Sequence, residues 1–270
     1  MQLSTDQLAC YHRDGFIVLP DLLAPAEVAA MKAELQRLQG IDTDHLVRER
    51  VGGVAKTIYR VHEADGPTAS APFHAAARAP RLLAPARQLL DDESLYVYHT
   101  KCNLKTAIDG SVWAWHQDYG TWRRDGVPEA NLTTALLMLD EPTEIGGCLY
   151  FIPGSHRVGN LEPEFDESTG YRFFVVPKPT LLEIMQRSPE PVPIVGKPGA
   201  VVFFHPNLLH ASGQNLSRRD RWQVYIVYNT VANKPGPVPA PRPDYVRSLN
   251  FAPLQIGSDA IVAQPAPEMA

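Results

Sequence analysis

Apolar and polar positions follow two different periods along the chain. Up to about residue 94 the apolar residues recur mainly at helical spacing, and beyond it they fall into short alternating or continuous runs typical of strands. Ser4-Thr5-Asp6-Gln7 has capping-box spacing, which predicts a short helix to about Arg13, stopped by Asp14-Gly15. Phe16–Leu19, ahead of Pro20, reads as a short buried strand. Pro25-Ala26-Glu27 opens a second helix, with proline in the first turn and an acid near the positive end. Its apolar face is Val28, Met31, Leu35 and Leu38, and Gly40 ends it. Residues 41–76 are irregular, with Ile58–His62 a candidate strand. Pro80 to Leu90 forms a third amphipathic helix on Leu82, Leu83, Ala86, Leu89 and Leu90.

The second half reads as strands at Leu95–His99, Lys101–Lys105, Leu132–Leu139, Cys148–Ile152, Ala200–Phe204 and Trp222–Asn229. Turn signals lie between them: Asp109-Gly110, Asp125-Gly126, Gly146-Gly147, Pro153-Gly154 and Pro198-Gly199. This pattern predicts an α+β, mainly β, chain with N-terminal flanking helices and a jelly-roll core. A single domain is expected over 1–256, with helical support at 1–94 and the core at 95–232. An insertion at 155–195, carrying a short helix at Leu181–Arg187, is a candidate lid. Residues 233–256, with Pro235, Pro237, Pro239, Pro241 and Pro243, should run extended over the surface, and 257–270 should form a flexible tail.

Composition narrows the function classes. Hydrophobic residues make up 44% of the chain, enough for a sizeable core, and the net charge of −5 comes from interspersed charges. No basic tract points to nucleic acid or an anionic membrane, and no apolar run spans a bilayer. The first residues lack the pattern of a signal peptide, and Cys10, Cys102 and Cys148 form neither a disulfide framework nor a zinc pattern. A cytoplasmic protein, monomeric or homodimeric, is expected.

The densest chemistry lies in Trp113–Trp122. On a strand, residues two apart face the same way, so His116 and Asp118 are expected to present an imidazole and a carboxylate side by side. A histidine from a distant strand would complete a facial triad suited to Fe(II). His210 is the best placed, with His205 its rival. His12 and His45 are expected to be solvated, His74 to lie in a helix, and His156 to line a pocket mouth. Arg221 begins an alternating strand; if Arg221, Gln223 and Tyr225 face inward, the guanidinium needs an anionic partner, and a dicarboxylate cosubstrate matches its planar fork. Arg218 and Arg219 read as a solvated turn. Trp113, Trp115 and Trp122 would exclude water from the metal, with at least one of them serving the core.

Several segments together resemble the phytanoyl-CoA dioxygenase family of Fe(II)/2-oxoglutarate oxygenases. They are Arg13-Asp14-Gly15-Phe16, Trp115-His116-Gln117-Asp118-Tyr119, Thr121-Trp122 with Asp125-Gly126, Pro153-Gly154-Ser155-His156, Gly196-Lys197-Pro198-Gly199, the His210 segment, Val227-Tyr228-Asn229 and Pro241-Arg242-Pro243. Within that family the likeness is greatest to ectoine hydroxylases and free amino-acid hydroxylases of the leucine type. The resemblance implies a cupin-like double-stranded β-helix and hydroxylation of an unactivated C–H with 2-oxoglutarate and O₂, releasing succinate and CO₂. It implies iron held by His116, Asp118 and His210, and 2-oxoglutarate held by Arg221, with Lys105, Thr134 and Ser212 nearby and Trp113 as a wall. Trp122, Tyr225 and Arg242 match substrate positions, Arg242 facing a carboxylate. His99 stands where ectoine hydroxylases carry glutamine, and the loop after Trp122 is one residue shorter, which favours an amino-acid-like zwitterion over ectoine. A carboxylate at Asp118 favours hydroxylation over halogenation. Two other classes compete: a non-catalytic jelly roll binding metal or sugar, and a metal-dependent hydrolase with further acidic ligands.

Overall fold

The structure is a computed structural model, and it describes residues 1–49, 53–109, 112–166 and 173–262. Gly110, residues 167–172 of the 155–195 insertion and residues 263–270 lie outside the described residues.

Helix α1 (Thr5–Asp14) starts at a complete capping box: the Gln7 amide N–H donates to Ser4 Oγ, and the Ser4 N–H donates to Gln7 Oε1 at 2.8 Å. Gly15 ends it in the left-handed region at φ 85°, and a Cβ there would meet His156 Nδ1 at 2.6 Å, so glycine serves both the cap and the close packing. The chain continues through β1 (Phe16–Leu19), α2 (Pro25–Leu38), β2 (Leu46–Arg48), β3 (Ala55–Tyr59), α3 (Ala71–Ala76) and α4 (Pro80–Leu90). It then forms β4 (Leu95–Lys105), β5 (Trp113–His116), α5 (Asp118–Trp122), β6 (Leu132–Met138) and β7 (Leu149–Phe151). The last elements are β8 (Glu164–Asp166), β9 (Phe173–Val175), α6 (Lys178–Met185), β10 (Val192–Ile194), β11 (Val201–Phe204), β12 (His210–Ser212) and β13 (Arg221–Thr230).

Two antiparallel sheets face each other. One has seven strands in the order β1-β11-β6-β13-β4-β3-β2, and the other has four in the order β10-β7-β12-β5. A separate hairpin, β8-β9, rises from the insertion. The first ninety-odd residues thus give the large sheet three strands as well as its helical backing. Alternation along each strand sorts the side chains. Ala135, Leu137, Phe203, Val224 and Ile226 face α2 and α4 in the main core, while Leu136, Met138, Val202, Phe204 and Tyr225 point between the sheets.

The pattern split β4 into two strands, but it is one, carrying a bulge. In the pairing of β13 with β4, Val227 is opposite His99 and Tyr228 is opposite Val97, leaving Tyr98 as the extra residue. A bulge of this kind turns neighbouring side chains to one face. Tyr98 and His99 accordingly sit with ring centroids 5.5 Å apart, both near Trp122. The short helix of the insertion begins earlier than its apolar run suggests, at Lys178, because Pro179 suits the first turn. The proline-rich segment follows irregular backbone, and it closes the end of the barrel rather than merely crossing the surface. Ser248 N–H donates to Tyr98 O, and Leu254 N–H donates to Leu95 O, both at 2.7 Å. No described helix is long and apolar enough to cross a membrane.

Candidate active site

The small sheet brings the ligands together. β5 and β12 pair antiparallel with His116 directly opposite His210, and their rings lie 4.1 Å apart between centroids. Asp118 is not on a strand. The chain leaves β5 at Gln117 and turns at once into α5, of which Asp118 is the first residue. The turn, and not the pleat of a strand, thus carries the Asp118 carboxylate back toward the imidazole. Asp118 Oδ1 lies 3.8 Å from His116 Nε2 and 3.9 Å from His210 Nε2. Among the described residues these three form the one group whose ligand atoms converge, all within 4.8 Å.

Hydrogen bonding fixes the chemistry of the two histidines. His116 Nδ1 lies 2.8 Å from Ala114 O, and His210 Nδ1 lies 2.9 Å from Leu208 O. A carbonyl only accepts, so each Nδ1 carries a proton, which turns Nε2 of each ring toward Asp118 as the atom available to a metal. Burial and the neighbouring His210 hold the His116 imidazole well below its ordinary value, which keeps it neutral. Two Nε2 atoms and a carboxylate oxygen on one face, with the other side open to a cavity, match Fe(II) and leave positions for other ligands. His205 is excluded as a ligand. Its ring lies tilted against that of His156, with centroids 5.1 Å apart, and its Nδ1 accepts the Asn207 N–H. His156 belongs to that packing under α1 and does not line the cavity.

The cavity beside the triad measures about 190 Å³. Of the sequence candidates, Trp113, Trp122, His99, Thr134, Ser212, Tyr225 and Arg242 line it with the three ligands. Trp115 does not; it is half-buried and packs against the cluster of Ile152, Val176, Ile184 and Leu209, while Trp113 and Trp122 are buried and serve both packing and the cavity wall. Lys105 and Arg221 stand behind the wall as direct partners across β4 and β13. Lys105 Nζ donates to the lining Ser212 Oγ at 2.9 Å, and Arg221 Nη2 donates to Gly147 O at 2.9 Å. Arg221 Nη1 donates to Gln223 Oε1, which also accepts the Tyr225 hydroxyl at 3.1 Å. Arg221 is 2% exposed, and its Nε has no partner. Burial lowers the pKa of both cations, that of Lys105 to about 6. No ion pair reaches Arg221 among the described residues. A buried guanidinium with neutral hydrogen-bond partners only suits the far carboxylate of 2-oxoglutarate.

At the other end, Arg242 is fastened to Asp125, and His99 Nδ1 is buried without a partner. Gly126 lets the C-terminal segment approach closely: a Cβ there would lie 2.2 Å from Gly236 O. Several lining residues escaped the sequence reading: Lys101, Asn103, Thr121 and the hairpin aromatics Phe165, Phe173 and Phe174. Lys101 and Asn103 had a signal, since Lys101-Cys102-Asn103-Leu104-Lys105 alternates polar with apolar on a strand otherwise rich in apolar residues. Lys101 Nζ lies 3.6 Å over the Trp113 ring. Phe173 meets Trp113 at 5.3 Å and His116 at 5.2 Å, edge to face. The hairpin has no such signal, because its place over the metal depends on the rest of the barrel.

The chain is similar to known proteins over most of its length. The family model described as phytanoyl-CoA dioxygenase matches residues 11–222. The chain is 32% identical over 258 residues to an ectoine dioxygenase of Bordetella bronchiseptica, covering 90% of this chain and 82% of that protein. It is also 32% identical over 259 residues to an L-proline trans-4-hydroxylase of Streptomyces griseoviridis, covering 90% and 92%. The crystal structure of EctD from S. alaskensis with 2-oxoglutarate and 5-hydroxyectoine superposes with a TM-score of 0.83 at 31% identity, covering 96% of this chain and 89% of that one. The form of that enzyme with bound Fe gives 0.82. The chain, its fold and its converging histidines and carboxylate belong to the phytanoyl-CoA dioxygenase family.

Proposed function

We propose that this Fe(II)/2-oxoglutarate-dependent dioxygenase hydroxylates an unactivated C–H bond of a small amino-acid-like zwitterion, releasing succinate and CO₂. One observation carries the proposal: the metal triad and the Arg242, Trp122 and His99 end line a single cavity of about 190 Å³. A small substrate held by Arg242 therefore lies against the metal.

Bound Fe(II) with 2-oxoglutarate supplies the oxidation of the C–H bond. The protein's own groups bind, orient and keep the site dry. His116, Asp118 and His210 hold the ion. Arg221 takes the far carboxylate of 2-oxoglutarate, with Lys105, Ser212 and Thr134 as polar neighbours and Trp113 as a wall. Arg242 takes the substrate carboxylate, while Trp122, Tyr225 and His99 shape the space around the rest. Phe173 covers the histidine side, and the 155–195 insertion acts as the lid that carries it. The interspersed charge supports a protein working free of nucleic acid and of anionic membrane surfaces.

The alternative is 5-hydroxylation of ectoine, favoured by the names of several relatives. Histidine at position 99, where ectoine hydroxylases carry glutamine, and the shorter loop after Trp122 favour a free amino acid, as does the proline-hydroxylating relative. Succinate release is to be measured with Fe(II), 2-oxoglutarate and a panel holding proline, leucine, other free amino acids and ectoine. A free amino acid that stimulates release and gains one oxygen supports the proposal. Ectoine as the best substrate establishes the alternative, and release that no panel member stimulates contradicts both.

A further inference from the structure

Between the two ligands of the His-x-Asp pair sits Gln117, 3% exposed. It stands at the junction where β5 becomes α5, yet its side chain makes no capping bond to that helix. It reaches away instead and joins three segments. Nε2 donates to Asn207 O at 2.8 Å and to Gly159 O at 2.9 Å, and Oε1 accepts the Leu161 N–H at 2.9 Å. Both amide hydrogens are thus used. Asn207 lies in the turn before His210, whose neighbour Leu208 fixes the His210 tautomer. Gly159 and Leu161 form the approach to the β8-β9 hairpin, which sets Phe165, Phe173 and Phe174 at the cavity. The residues after Asp118 hold the same approach from the other side. A Cβ on Gly120 would meet Pro163 at 3.5 Å, Arg124 pairs with Glu162 at 2.6 Å, and the Arg124 guanidinium lies 4.4 Å over Phe174.

From this junction we infer that Gln117 is a positioning residue that ties the geometry of the metal triad to the seating of the aromatic hairpin. The inference rests on the metal site proposed above and goes beyond it. Removing the amide takes away the partner of one buried carbonyl, one half-buried carbonyl and a half-buried N–H, so the strand-to-helix turn, the His210 turn and the hairpin base lose their common anchor. Hydrogen bonds made directly to metal ligands change metal affinity by about 10- to 100-fold, and the Gln117 bond to the turn before His210 acts on the orientation of that ligand.

The test uses Co(II) as the probe and needs no organic substrate. Gln117→Met keeps the length and apolar volume of the side chain and removes every hydrogen bond. Co(II) affinity, read from its visible absorption, should fall by about tenfold or more in the folded variant. In the unaltered protein, Co(II) should slow hydrogen exchange of the amides at 159–161, and this protection should vanish in Gln117→Met. Co(II) affinity within about twofold of the unaltered protein overturns the inference, since a merely structural role lowers the melting temperature without moving affinity. Should the variant fail to fold, the unaltered protein decides alone: protection at 159–161 on adding Co(II) sustains the inference, and exchange there indifferent to Co(II) overturns it. Failure of the unaltered chain to bind Co(II) removes the triad assignment itself. A negative substrate panel leaves the Co(II) result standing.

Discussion

Arg242 and Asp125 are locked together by three contacts across 117 residues of sequence. The backbone N–H of Arg242 donates to Asp125 Oδ1 at 2.8 Å, and its Nε and Nη2 reach Oδ2 at 2.8 and 2.7 Å. Asp125 is 1% exposed and also accepts the Tyr98 hydroxyl. Burial alone would raise the Asp125 pKa, but the charge and hydrogen bonds of Arg242 and the Tyr98 hydroxyl hold it below the usual carboxylate range. The aspartate fixes one edge of the guanidinium and its orientation at the cavity.

Arg242→Ala should therefore raise the KM of the organic substrate and leave that of 2-oxoglutarate in place. Asp125→Asn should act in the same direction through loss of orientation, by roughly 1–3 kcal/mol of binding for a hydrogen bond to a charged group. Steady-state kinetics with each substrate varied in turn decides this. An equal rise in both KM values would make Arg242 a structural residue only.

Arg221→Ala removes the buried cation set for the far carboxylate. Loss of a desolvated charge partner costs roughly 3–5 kcal/mol, about two to nearly four orders of magnitude in the 2-oxoglutarate requirement. Arg221→Lys keeps the charge but loses the fork and should recover only part. An unchanged KM for 2-oxoglutarate in the alanine variant would remove Arg221 from this role.

Lys101 gives a pH dependence with a defined sign. Burial lowers its pKa from 10.5 to about 7, with Arg242 and Lys56 pushing the same way and Asp118 opposing. Between these values the unfolded chain holds more protons than the folded one, so folding stability rises with pH across that window. Below about pH 7 the cost of burying the cation is present in full. Each lysine of this kind contributes at most about 1.4 kcal/mol per pH unit. Urea unfolding of the metal-free protein and of Lys101→Met from pH 7 to 9 should show the variant's relative advantage shrinking as pH rises. A constant difference would place the lysine at its ordinary value.

Phe173→Ala should let water reach the metal. The expected sign is more succinate formed per hydroxylated product, with folding retained, because the ring sits edge-on to His116 and Trp113 at the cavity wall. A ratio equal to that of the unaltered enzyme would reduce Phe173 to packing.

What the chain disclosed in advance was set by local rules. Capping at Ser4 and Gln7, the apolar stripe of α2 and the inward set of Arg221, Gln223 and Tyr225 are properties of a few adjacent residues, and periodicity reads them directly. The Tyr98 bulge is different. It exists only in the pairing of β4 with β13, and no local signal marks the residue that is left over. The turn that carries Asp118 is hidden for the same reason, since its anchors, Gly159, Leu161 and Asn207, lie far along the chain. Residue types disclosed the triad, and long-range pairing decided how its members meet. The hairpin aromatics, with no motif to mark them, were visible only in the fold.

His116, Asp118 and His210 together are expected to hold one iron. Anaerobic equilibrium dialysis of Fe(II) against the metal-free protein and against His116→Ala, Asp118→Ala and His210→Ala, each checked for folding by circular dichroism, tests it most directly. One Fe(II) per unaltered chain, with binding lost in all three variants, is the predicted result. Retention of iron by a folded variant lacking any one of the three would contradict it.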